Sequence, residues 1–313
     1  MNKFGGYSMI ELMVAASLGV MVVTAIQSIA SKTLWTVEEI QASTEVLEGA
    51  QYLSGLLSRD IEMAGFYGDF YSSYTAISGP PNFCQLMNRG AVIQAMPYPI
   101  AGINDVASGY KLCGNEALLS GTDVILARSS SVVEQPPTYK LQAQQIYIQG
   151  VLDNFKVDHG DNLSDFSLHK GGKVAPVRAW QQTIYYVSKD NIFKRRRFLR
   201  GKYLRSEPLV DGVYDFQVEY AISSALDSSH CNTQENINYL SPPLTDTQWE
   251  QVVAVRFHLL LRSSWQGVDQ IGKRFHYAGK YHDIEESGYY ALFSGLTAIM
   301  NKIPKRVVFD LEI

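Results

Sequence analysis

The sequence predicts an α+β fold: one long N-terminal helix, membrane-spanning in its first half, packed on an antiparallel β-sheet domain. Three observations predict it. Residues 7–30 form an apolar run whose one acidic or basic residue is Glu11. No proline interrupts residues 8–64, and glycine occurs there only as Gly19, Gly49 and Gly55. Beyond residue 121, apolar residues alternate in short runs bounded by turn residues, which is the period of strands.

The helix comes first. Residues 1–6, with Lys3 their one cation, precede the apolar run. At about 1.5 Å per residue a helix over residues 8–64 would be roughly 85 Å long. Its first half, residues 7–30, is apolar all round and long enough to cross a bilayer. Its second half, residues 31–65, is amphipathic. Val37, Ile40, Thr44 and Leu47, then Leu53, Leu57, Ile61 and Ala64, recur at helical intervals, with a slip between Leu47 and Leu53. Glu38, Glu39, Glu45 and Glu48 sit largely off that stripe. The stripe after about Glu45 is read as packing on the chain's own sheet. The part before it is read as contact with neighbouring subunits. Gly65 and Gly68 end the helix.

Residues 66–121, rich in Gly, Pro, Asn and Ser, read as a long connecting region with a few short elements. Residues 122–313 form the β domain. Strands are expected at 123–127, 145–148, 183–187, 192–198, 212–220, 252–262 and 306–313. The second pair flanking Ser188-Lys189-Asp190-Asn191 reads as a hairpin. A short helix around residues 289–299 is expected to interrupt the last strands.

Composition bounds the function. With 46% hydrophobic and 19% charged residues the chain is globular, not disordered. A net charge of −4 does not suit the whole molecule to nucleic acid. Cys84, Cys113 and Cys231 have no zinc or haem spacing. Cys84 and Cys113 are the nearest pair. Closing their loop would contribute roughly 3–4 kcal/mol in an oxidising compartment. Cys231 is left over, and spacing equally allows it to pair with either of the others.

The leader is the most specific feature. An ordinary signal peptide has its small-residue cleavage site after the apolar stretch. Here Gly5 and Gly6 come before it, and a plain anchor has no use for Glu11. A short basic leader ending in Gly6, an aromatic Tyr7 and then Glu11 resemble the type IV pilin superfamily, in which Phe is more usual at the Tyr7 position. Arg59-Asp60 followed by Ala64-Gly65-Phe66-Tyr67-Gly68 resembles the end of the long helix in PilW-family minor pilins. Residues 213–220, 252–262 and 306–313 are similar to that family in content and order. Stretches 69–121 and 222–248 resemble nothing and read as loops particular to this lineage.

The resemblance implies a type IV pilin-like fold, cleavage between Gly6 and Tyr7 by a membrane prepilin peptidase, and N-methylation of Tyr7. It gives Glu11 a role in subunit assembly, pairing with a neighbour's N-terminal amine. It implies a minor pilin that helps prime and assemble type IV pili in a tip-located complex, supporting twitching motility, adhesion and, in competent bacteria, DNA uptake. The implied partners are other minor pilins, the major pilin, a tip adhesin and the inner-membrane assembly platform. The implied location is the bacterial inner membrane, single-pass with a periplasmic C-terminal domain, then the fibre. A J-type minor pseudopilin of type II secretion shares leader, helix and β domain and is the alternative.

No catalytic motif stands in the chain, so neither an enzyme nor a cofactor is expected. Lys194-Arg195-Arg196-Arg197 is the main basic cluster. It is read as a strand whose alternate cations face water or pair with the acidic helix, ahead of a phosphate contact. Asp158, Asp161, Asn162 and Asp165 are read as a solvated turn ahead of a calcium site. Asp227, His230 and Cys231 are read as a polar loop.

Overall fold

The computed structural model describes residues 8–70, 80–84, 88–113, 116–135, 141–223, 237–263 and 270–301. Helix α1, Met9–Glu62, is 54 residues long. With neither proline nor a glycine pair to break it, it runs about 80 Å. It stops where sequence reading placed its end. Gly65 adopts φ 77°, which costs glycine nothing, and its N–H donates to the Arg128 carbonyl at 2.9 Å. The chain thereby turns off the helix and onto the sheet.

The segment expected as a bare connection carries structure. Helix α2, Arg89–Ala95, begins at Asn88, whose side chain accepts the Ala91 N–H at 2.9 Å. Strand β1, Ile100–Ile103, then joins the first sheet. That sheet continues with β2 (Val124–Ser130), β3 (Ile146–Leu152), β4 (Asn154–His159), β5 (Arg178–Val187), β6 (Phe193–Leu199) and β7 (Glu207–Val210). The spine is β5. One side of it pairs with β6, and the other pairs first with β3 and then with β2. The expected hairpin joins β5 to β6, with Asn191 in the left-handed region at φ 60°. One short parallel pairing, Asp69 and Phe70 beside Val151 and Leu152, departs from an otherwise antiparallel plan.

The second sheet starts with β8 (Val213–Ser223) and β9 (Ile237–Leu240). Helix α3, Asp246–Glu250, opens on a Thr245–Gln248 capping box and leads into β10, Val252–Arg262. A small hairpin follows, β11 (Arg274–Tyr277) with β12 (Lys280–Asp283). The Tyr277 hydroxyl donates to the buried Asp215 carboxylate at 2.7 Å and so ties this hairpin to β8. Strand β13, Tyr290–Ala298, completes the order β9-β8-β10-β13. This corrects the short helix expected around residues 289–299. Tyr290 pairs with Arg262 and Ala298 with Ala254, in unbroken antiparallel register. A short apolar run is readable as helix or strand, and the free edge of β10 decides it. Gly295, a poor helix former, supplies the space in which the Phe257 ring lies. The strand expected at 306–313 lies outside the described residues.

Helix and sheets share one core. Ala42, Val46, Ala50, Leu53, Leu57 and Ile61 form the buried face of α1. They meet Tyr185 and Phe193 from the first sheet and Phe216, Phe257 and Leu259 from the second. Below the helix end, Tyr67 stacks on Trp180 with ring centres 5.5 Å apart. Arg128 is fully buried beside them, donating to Gln182 Oε1 at 3.0 Å and to the Tyr98 carbonyl at 2.6 Å. Burial pulls its pKa down to about 10.

Gly295 gives a direct test of this packing. A Cβ there would lie 2.3 Å from Phe257 Cζ. Gly295→Ala is expected to destabilise the protein by about 1–3 kcal/mol. Urea unfolding of the full-length protein in detergent measures this, and an unchanged midpoint would contradict the packing.

Candidate functional site

Every residue from Ser8 to Val37 is exposed, and the first buried residue of α1 is Ala42. The projecting half is therefore a bare apolar rod. Met9 is 84% exposed and Met21 71%. Such a surface is unstable in water and demands lipid or other chains around it. The helix is long and apolar enough to cross a membrane. Several of its hydroxyls find backbone acceptors. Ser17 donates to the Val14 carbonyl at 2.9 Å, Thr24 to Met21 at 2.9 Å and Ser31 to Gln27 at 2.9 Å. Backbone acceptors three or four residues earlier thus remove the need for water, as an apolar setting requires. Lys32 and Trp35 follow the apolar run, where a cation and an indole sit well at a membrane surface.

Glu11 lies in the first turn of this rod. Its Oε2 accepts the Ser8 N–H at 3.4 Å, a weak local contact. Gly6 and Tyr7, expected at the cleavage and methylation point, lie outside the described residues. Sequence reading missed how the domain grips the other half. The Tyr185 hydroxyl donates to Asp60 at 2.7 Å, Ser58 shares a hydrogen bond with Thr297 at 2.9 Å, and Ser263 donates to Glu45 at 2.5 Å. Burial, reinforced by the Asp60 charge, pushes the Tyr185 hydroxyl well above its usual pKa. Only Asp60 carried a signal in the sequence, inside the phrase that closes the helix.

The remaining candidates separate. A disulfide joins Cys84 to Cys113. Both pack with Phe83 and Tyr110 against Leu126, Ile184 and Tyr186, on one face of the first sheet. Cys231, with Asp227 and His230, lies outside the described residues. Asp158, buried near the end of β4, accepts from Asn162 at 2.8 Å and from the His159 N–H at 2.7 Å, with Arg89 of α2 3.3 Å away. Burial acts to raise its carboxyl pKa, but these donors outweigh it and hold the group below the usual carboxylate range.

The basic cluster forms β6, and its cations are spoken for. Lys194 binds Glu116 at 2.6 Å. Arg195 grips Glu207 through two bonds, at 2.9 and 3.1 Å, while Arg197 approaches the same carboxylate at 3.5 Å. Arg196 lies over the Tyr203 ring and donates to the Leu204 carbonyl. The partners are Glu116 and Glu207, not the acidic helix. The reason is topological: β7 pairs beside β6 and brings Glu207 opposite Arg195.

Glu116 makes this pairing testable. Burial raises its carboxyl pKa, but hydrogen bonds from Lys194, Ser206 and Tyr186 prevail and leave it below the usual 4.5. A depressed carboxylate contributes stability above its unfolded pKa and loses it as pH falls through the folded one. Glu116→Gln should therefore cost about 1–3 kcal/mol at neutral pH. The gap from wild type should narrow in acid. Thermal unfolding at neutral and acidic pH would read both effects.

Comparison with known proteins adds a family. Residues 184–301 match the model of PilW, the type IV pilus-assembly protein W family. The matched span runs from within β5 through β13 and so includes the basic strand and the whole second sheet. No curated protein matches the chain. Among solved structures, a type IV-like pilin from Thermus thermophilus is similar over 82% of this chain and 96% of its own, at 10% identity and a TM-score of 0.37. Residues 184–301 are thus similar to the PilW family of type IV pilus-assembly proteins, a match that covers less than half of the chain.

Proposed function

We propose that the protein is a minor pilin that primes and assembles type IV pili, acting by assembly and not by catalysis. One observation carries the reading: a folded domain of PilW type holds a bare apolar helix by one end only, with a single carboxylate near the free end. Before assembly that helix rests in the inner membrane, with the β domain on the periplasmic side. After assembly it lies among the helices of other pilins. The partners on this reading are other minor pilins, the major pilin, the assembly platform and a tip adhesin, in a complex near the fibre tip. Twitching motility and adhesion would depend on it indirectly.

Glu11 is the part of the rod that needs explaining. A carboxylate within a membrane helix costs roughly 2.5 kcal/mol or more near the bilayer centre. Cleavage between Gly6 and Tyr7 creates a cationic amine, N-methylated at Tyr7, at the start of each subunit's helix. In the fibre the amine of one subunit and Glu11 of its neighbour neutralise each other. At low dielectric that attraction is strong, and a helix out of register leaves both charges unpaired.

Two measurements test this. Gly6→Leu should block processing, because the peptidase must accept a small residue at the scissile bond. N-terminal sequencing of the wild-type membrane protein should begin at Tyr7, and any other mature terminus would overturn the reading. Glu11→Ala should leave insertion and cleavage intact while removing a costly charge from lipid. It should nevertheless be depleted from sheared fibres, with fewer pili overall, since the neighbour's amine is left without a counter-charge. Equal recovery of mutant and wild type in fibres of normal number would refute the pairing.

A further inference from the structure

The β11–β12 hairpin forms a two-stranded sheet of its own, with no ladder to either larger sheet among the described residues. Side chains hold it against the second sheet. Phe216 and Val218 of β8 point into the helix core, so Asp215, Gln217 and Glu219 point the other way, toward the hairpin. Tyr277 and Ile284 pack there on Leu260 and Tyr290. The rest of the contact is ionisable or polar. The Asp215 carboxylate that accepts the Tyr277 hydroxyl also lies 3.4 Å from His282 Nε2. The Tyr277 and His282 rings stack within 7° of parallel, their centres 4.3 Å apart. Tyr277 also meets the buried His258 of β10, with ring centres 5.5 Å apart. His258 is held by Ser294 at 2.7 Å and by Glu219 at 3.0 Å. Lys280 binds Asp105 and donates to Gln217 at 3.0 Å.

Other charged groups border this contact. Arg256 lies 3.5 Å from Glu219. Arg262 pairs with Glu286 and lies over the Tyr290 ring, with Tyr214 and Glu285 close by. Asp123 accepts the N–H groups of Asp105 and Val218 at 2.9 and 2.7 Å. Arg274 with Asp283, and His276 with Tyr281, occupy the hairpin's exposed outer face. Protons act on the inner face in one direction. Imidazole changes charge between about pH 5 and 8. A proton on His282 or His258 faces a carboxylate and presents a cation to the Tyr277 ring. Burial raises the Asp215 carboxyl pKa, against hydrogen bonds from Tyr277 and Gln217 and the nearby His282. Asp123 is pushed up by burial to about 7. A carboxyl raised in this way favours the closed structure in acid and loses that contribution as pH rises. We propose that the β11–β12 hairpin is an acid-closed latch: protons taken up at its inner face hold it on the second sheet, and their loss toward alkaline pH frees it and bares Gln217, His258 and Leu260. Every group involved lies in the folded domain, so the latch is independent of the pilus reading above.

Hydrogen exchange of the full-length protein in detergent tests this, once corrected for the intrinsic pH dependence of amide exchange. From about pH 5.5 to about pH 8 the amides of β11 and β12 should lose protection at least about tenfold, the worth of one pKa unit, while those of β10 keep theirs. Asp215→Asn keeps an acceptor for the Tyr277 hydroxyl and removes the charge. It should leave the hairpin protected at the alkaline end. The double change His258→Gln, His282→Phe keeps a ring against Tyr277 and removes both imidazoles. It should shrink the pH response to less than about threefold. A merely structural contact would instead weaken in both variants at every pH. Equal hairpin protection of the wild type at both pH values, a parallel loss in β10, or an unchanged pH response in either variant would each overturn the proposal. The wild-type comparison decides by itself where a variant fails to fold.

Discussion

Close contact between one face of α1 and the two sheets organises the rest of the molecule. Small residues make that contact possible. A Cβ on Gly49 would meet Val210 at 3.0 Å and Leu261 at 3.3 Å, so the helix sits near enough for Leu53 and Leu57 to reach the aromatic layer of Phe193, Phe216 and Phe257. Each such side chain contributes about 1.5–3 kcal/mol on burial. The sheets meet at this helix, and the hydrogen bonds linking Tyr185 with Asp60 and Thr297 with Ser58 fix its position along its axis. A helix held that firmly over its second half carries its first half as a rigid extension, with no joint between them.

Much of this was legible in the chain. Two periods, helical before residue 65 and alternating after 121, placed α1 and the long strands, and β10 runs from Val252 to Arg262 as read. The turn at Asn191 and the stop at Gly65 were readable because each needs a backbone conformation few residues tolerate. Strand β13 was misread because Tyr-Ala-Leu-Phe carries no decisive period, and only the neighbouring strand settles its state. α2 and β1 were hidden in a stretch punctuated by Gly90, Pro97, Pro99 and Gly102, where local signals point to loops.

The functional half divides along similar lines. Glu11 announces itself as a lone charge in an apolar run, an anomaly visible without any fold. By contrast the carboxylates that quiet the basic strand, Glu116 and Glu207, lie 78 and 12 positions from the cations they bind. The first of these pairings is a product of topology, and spacing could not have shown it. The α1 stripe lies between these cases. The slip was readable in the sequence, but its meaning, that Val37, Ile40 and Leu47 are exposed while Leu53, Leu57 and Ile61 are buried, required the sheet.

Because every residue from Ser8 to Val37 is exposed and burial of α1 begins at Ala42, the chain is divided between two geometries. If the chain assembles as proposed above, its rod must match the rods beside it, so its surface has little freedom. The sheets, hung on the far end, are under no such demand. Loops, strand edges and even the disulfide-bonded face can be redrawn without disturbing the spacing of the rods. On the proposed function the protein thus keeps a standardised plug and an adaptable head on one uninterrupted helix, and a fibre built from such parts can change what it displays without changing how it is built.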